Sequence, residues 1–232
     1  MISERFETLA QSFRVFAEQQ FTFHRLLLVD APEAVGNLDH AIDGILNAFH
    51  GLFDATKGEA NDAFNFYNDP FCAFVLRLRN ARHHNQANGL RNIYRRARYE
   101  APPADYLLVD FAAREDGGSY GEYYIAWADV LAIHDVQPDK YADSIAVSRQ
   151  ELHADEFETW CAEQGYNAEQ IFVNLIPVLA AACSACTPAI KGFIDPQSVE
   201  AEAFLRIFTE VETANFGDQS YCALTSAAFW PG

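Results

Sequence analysis

Apolar residues recur at three- and four-residue spacing through residues 3–29, at Phe6, Leu9, Phe13, Phe16, Ala17 and Phe23. This is the stripe of an amphipathic helix. A second stripe, Val35, Leu38, Ile42, Ile45, Leu46 and Phe49, predicts a helix from Pro32 to Phe53. The stretch "GEANDAFNFYNDP" breaks the pattern, with room for one short helix. Asp69 then stands where an N-cap belongs, and Pro70 at the first helical position, where its missing N–H costs nothing. A third helix is therefore expected to start at residue 70 and to turn Phe71, Phe74, Val75 and Leu78 inward. Asn88-Gly89 suits its C-terminal turn.

The middle of the chain changes period. "DYLLVDFAA" and "GEYYIAWADVLAIH" are rich in Tyr, Val, Ile and Trp, with "REDGGSYG" between them. That composition predicts a β-hairpin, a small insertion around 104–134. Helical periodicity returns over 154–164, 168–186 and 197–215, with glycine or proline at each joint. The expectation is a mainly α protein: a single domain over 1–232 with one two-stranded excursion.

Half of the residues are hydrophobic and 14% are aromatic, enough for a substantial core. The run "IFVNLIPVLAAACSACTPAI", 171–190, is uncharged, but Asn174, Pro177 and Pro188 make it a better buried helix than a membrane span. No membrane association is expected. "MISERFETLA" has two acids and no apolar leader core, and five cysteines follow no framework spacing, so a reducing, cytoplasmic home is expected. Cys183-x-x-Cys186 has no second pair beside it and reads as two buried small hydrophobes rather than a metal or redox site. No metal and no cofactor is expected.

Charge changes the picture more. The net charge is -17, which argues against a general nucleic-acid coat. Yet "VLRLRNARHHNQANGLRNIYRRAR", 75–98, gathers seven of the 16 basic residues and no acid. Without it the chain holds 9 basic against 33 acidic side chains, or -24, beside an island of +7. Such an island attracts an anion while the rest repels bulk polyanion. The plainer account is an arginine face paired with acids elsewhere in the fold.

The island also contains His83 and His84. On a helix, Arg79 and His83 are neighbours on one face. Arg79 and His84 lie roughly 140° apart, and converge if the helix frays or if two copies face each other. Arginine grips phosphate oxygens through its planar fork and keeps its charge, and histidine exchanges protons near neutrality. Together they suffice for metal-free RNA cleavage: imidazole assists attack by the 2′-hydroxyl or protonates the leaving oxygen, and guanidinium stabilises charge building at phosphorus. Tyr94, Tyr99 and Tyr106 interleave with the downstream arginines, an arrangement able to stack single-stranded bases, although at least one of them is expected in the core.

"LRNARHH" resembles the R-x4-6-H signature of the HEPN superfamily, whose arginine is often followed by asparagine. The resemblance implies an all-α, up-and-down helical bundle that dimerises with two motifs facing one cleft. In active members that cleft cuts RNA without metal, often in toxin–antitoxin or defence systems. Carried over by position, Arg79 becomes the phosphate-binding arginine, Asn80 the polar positioning residue and His84 the catalytic histidine; His83 duplicates the last. Arg82, Arg91, Arg95, Arg96 and Arg98 become candidates to track RNA. The partners implied are RNA, a second copy of the chain, and an antitoxin or other neutralising protein. The alternative is a non-catalytic RNA- or protein-binding module with the same fold. A further alternative leaves Arg79 on helix C-terminal carbonyls and the histidines in a last turn favoured by the helix dipole.

Overall fold

The computed structural model describes residues 1–60, 62–83, 91–95, 105–112, 121–135 and 146–225 of the 232. The chain divides into two compact units, one formed by residues 1–79 with 179–213, the other by residues 80–178 with 214–232. It is mainly helical with a small four-stranded sheet.

The first unit is helical. Helix α1, Ile2–Leu27, buries Phe6, Leu9, Phe13, Phe16 and Phe23, the stripe read from the sequence except for Ala17, which is exposed. Asp30 caps α2, Ala31–Glu59, by accepting from the Glu33 N–H at 3.0 Å, with Pro32 in its first turn. So short a connection makes α1 and α2 antiparallel, and the Ile2 N–H donates to Glu59 at the far end. Helix α2 runs six residues past the expected end at Phe53, because Ala55 and Thr56 continue its buried face. The "AFNFYN" segment after it forms turns, whose Phe64 and Phe66 pack edge-on together while Phe66 meets Phe49 and Phe53. Helix α3, Pro70–His83, starts where expected, and the Cys72 N–H donates to Asp69 Oδ1 at 2.8 Å. Its residues from Cys72 to Leu78 are all buried, so it is a core helix rather than an amphipathic one, and Phe71 is only half-buried.

The second unit holds the sheet, and here the sequence reading needs correction. Strand β1, Asp105–Ala112, and strand β2, Tyr124–Ala126, are present but do not pair as a hairpin. Strand β3, Ile171–Asn174, lies between them, parallel to β1 through Leu107↔Ile171 and antiparallel to β2 through Ile125↔Val173. β3 was expected to be helix. All four of its residues are buried, and a short run that is apolar on both faces carries no period to distinguish strand from helix. Asn174 is tolerated there because its side chain is fully used: Oδ1 accepts from the Tyr123 and Ile176 N–H groups, and Nδ2 donates to Asp110 and the Gly121 carbonyl.

The second half of the expected hairpin is helix α4, Trp127–Asp135. Trp127, Val130 and Leu131 are spaced three and four apart, and this spacing overrides the β preference of the aromatic and branched residues before it. Residues 146–151 are helical, and α5, Ala154–Glu163, matches its expectation. After β3 comes α6, Ile176–Ile190, the one stretch among the described residues long and apolar enough to cross a membrane when extended to Phe193; 56% of that span is buried. Helix α7, Val199–Glu210, is capped by Ser198 and belongs to the first unit, where Phe204 and Phe208 pack on Phe13. It ends short of 215. Strand β4, Asn215–Thr225, then pairs antiparallel with β1 along the sheet edge. The sequence reading had no strand there. Most of β4 is exposed, so it lacks an alternating apolar face, and β1 supplies the hydrogen bonds that make it a strand.

Candidate functional site

Helix α3 sets the position of the motif. Its capped, proline-started N-terminus and buried middle fix the register, so that Arg79, Asn80 and Arg82 emerge half-buried where the apolar run ends. Arg79 Nε donates to Asn47 Oδ1 on α2 at 3.2 Å. A guanidinium is planar, so a bond at Nε orients the whole group. His83 is the last residue of α3. His84, Arg96, Arg98 and Tyr99 lie outside the described residues, as does the turn expected at Asn88-Gly89.

Arg91 answers part of the charge puzzle in the plainer way. Its Nε and Nη2 grip the Asp129 carboxylate, with Nε–Oδ2 at 2.9 Å and Nη2–Oδ1 at 2.5 Å. The Arg91 backbone N–H also donates to Asp129 Oδ2 at 2.8 Å, and Glu169 lies 3.6 Å from Nη2. The two side chains are 14% and 5% exposed, so this is a buried, bidentate pair. It anchors the chain next to β2: Asn92 bridges to Ile125, and the Ala126 N–H donates to the Arg91 carbonyl. Arg95, three residues on, is exposed, its backbone N–H held by Asn92 Oδ1 at 2.7 Å.

The tyrosines separate likewise. Tyr106 is fully buried, edge-on to Phe172, in a cluster with Ile93, Leu108, Tyr124 and Ala126. Tyr94 is half-buried against the same cluster, and burial, together with the nearby Glu122 charge, pushes its phenol up to about 12. Neither is a free base-stacking platform. Tyr124 is raised further, by burial and then by the Asp110 carboxylate that its hydroxyl meets at 3.3 Å. The Tyr94 and Tyr124 phenols stay protonated near neutrality, and that of Tyr124 donates to Asp110.

Of the cysteines, Cys72, Cys161, Cys183 and Cys186 are buried and unbridged, and Cys222 is exposed. Burial pushes the Cys72 and Cys183 thiols well up and that of Cys161 to about 11; Cys72 Sγ donates to the Ala182 carbonyl at 3.2 Å. Buried, protonated thiols are packing groups. Among the described residues no group of three or more His, Cys, Asp or Glu is arranged to hold a metal ion.

Two partners of these arginines escaped the sequence reading. Asp129 had a signal: it is the one charge in "YYIAWADVLAIH", and an acid in an apolar run needs a buried cation. Asn47 had none, standing mid-helix 32 positions from its partner. The chain matches no protein-family model, no curated protein and no solved structure.

Proposed function

We propose that the chain is a metal-independent endoribonuclease of the HEPN type, a cytoplasmic toxin or defence protein working as a homodimer built on an up-and-down helical bundle. The observation that carries the reading is Arg79-Asn80 at the end of a buried, capped helix, followed in the sequence, after three residues, by His84. In the proposed reaction the 2′-oxygen attacks the adjacent phosphorus as its proton leaves, and the P–O5′ bond breaks with protonation of the 5′-oxygen. The products are a 2′,3′-cyclic phosphate and a 5′-hydroxyl. His84, or its neighbour His83, handles one of these protons; Arg79 meets the charge that gathers on the phosphoryl oxygens. Asn80 positions, and Arg82, Arg95, Arg96 and Arg98 follow the RNA backbone.

The test is cleavage of a single-stranded oligoribonucleotide in EDTA. The parent is expected to leave cyclic-phosphate ends, and Arg79→Ala and His84→Ala are each expected to lose about 10² or more in rate. Variants that cut as fast as the parent refute the catalytic assignment. The second reading, a non-catalytic RNA- or protein-binding module, draws support from the Arg91–Asp129 pair, which already neutralises one cation of the island. It predicts salt-dependent RNA binding with no cleavage.

A further inference from the structure

We infer that strand β4 is a self-association edge: it pairs antiparallel with the β4 of a second copy of the chain across a two-fold axis, joining the two sheets into one. This goes beyond the ribonuclease reading and concerns the second unit alone. The sheet runs β2-β3-β1-β4, so its margins are β2 and β4. The β2 margin is protected: the strand is three residues long, Asn92 bridges to Ile125, and the Ala126 N–H donates to the Arg91 carbonyl. The β4 margin is not. Its regular pairing with β1 runs from Asp105↔Thr225 to Phe111↔Gln219, and among the described residues no strand lies on its other side. In an antiparallel pair alternate residues turn both N–H and C=O away from the partner, so about half of this segment's backbone groups point outward. Most of β4 is exposed, which leaves that edge within reach of another chain.

Strand margins ordinarily exclude other chains with charges, prolines and bulges. Residues 219–225, "QSYCALT", hold no charge and no proline, in a chain where 21% of the residues are charged. The bulge between Phe111 and Ala112 lies beyond this segment and takes Asp218, the one charge of β4, out of the regular register. The segment is also held in place. Tyr221 on one face stacks on Trp160 at 3.9 Å, and Leu224 on the other packs against the Tyr106–Phe172 cluster, so little ordering is left to do when a strand is added. Charge decides what that strand is. A basic partner would seek the acidic surface of a chain of net charge -17, whereas two copies of so acidic a chain approach best along an uncharged strip. Self-pairing also closes the margin completely, since a two-fold axis sets β4 against β4 and leaves no edge there for a third chain.

The experiment is sedimentation equilibrium of the full chain. The parent is expected to show about twice the mass of a Ser220→Glu, Ala223→Glu variant and of a Ser220→Lys, Ala223→Lys variant, because like charges on facing strands oppose pairing. Both positions are exposed, one on each face of β4, so the fold is retained, as far-UV circular dichroism checks. An equimolar mixture of the two variants sets opposite charges across the axis and is expected to return to the parental mass. Equal masses for the parent and the folded variants overturn the inference. So does a mixture that stays at the lower mass, since the substitutions then act through something other than β4 facing β4. Hydrogen exchange of the parent needs no variant: alternate amides of 219–225 are expected to lose protection as dilution halves its mass. A mass that halves while those amides keep their protection places the contact elsewhere and overturns the inference too. None of these outcomes depends on whether the chain cuts RNA.

Discussion

Asp129 and Arg91 illustrate how a single buried pair redirects the reading of a charge run. Removing one partner of such a pair leaves the other charge uncompensated out of water, a loss of about 3–5 kcal/mol. Asp129→Ala is therefore expected to lose that much in urea unfolding, and the Asp129→Ala, Arg91→Ala double variant to lose less than the two single changes added together. Additive losses would show that the residues do not depend on each other. The cysteines give a second test at this scale. One of the five thiols, Cys222, is exposed, so the native protein is expected to react with one equivalent of a thiol reagent and the denatured protein with five. Rapid modification of Cys72 or Cys183 in the native state would contradict the burial that keeps their thiols protonated.

The helices depend on caps that can be removed one at a time. Asp69→Ala takes away the side-chain acceptor at the start of α3 and is expected to cost about 1 kcal/mol, read from the midpoint of chemical unfolding. Helix α7 is tied to α1 by Glu7, whose Oε2 accepts from Ser198 Oγ at 2.6 Å and whose Oε1 accepts from the Gln197 and Ser198 N–H groups. Burial alone would push this carboxyl up; the hydrogen bonds from Ser198 and Gln197 outweigh it and hold the group below its ordinary value. A depressed carboxyl stabilises the folded state above the ordinary carboxylate range, and that stability is lost as pH falls through the folded value. Glu7→Gln is thus expected to be less stable than the parent near neutrality, with the gap closing as the solution is acidified. A gap that widens in acid would contradict the sign.

At the scale of the whole molecule, the charge distribution makes its own forecast. In the proposed function, a chain of net charge -17 would meet RNA through arginines near α3 over short range and against repulsion. Binding to a single-stranded oligoribonucleotide by a cleavage-deficient variant is expected to weaken steeply with salt, with a logarithmic slope of about 0.7 for each phosphate met. Affinity that ignores salt would remove phosphate contact from the account.

The stripes of α1 and α2 and the Asp69-Pro70 start of α3 were legible in the chain because helix signals are local: Asp69 and Pro70 act within a turn, and the phenylalanines of α1 repeat along one face. The arginine island and the motif inside it were legible for the same reason. The sheet was not. β3 has no period to read, β4 is exposed, and β2 and α4 share one aromatic run, so strand identity there depends on partners as distant in sequence as Asp105 and Thr225. Nor could the sequence say which arginine would be consumed by an acid and which held by an amide. Both partners, Asp129 and Asn47, are more than 30 positions away, and only chain folding chooses among so many distant groups.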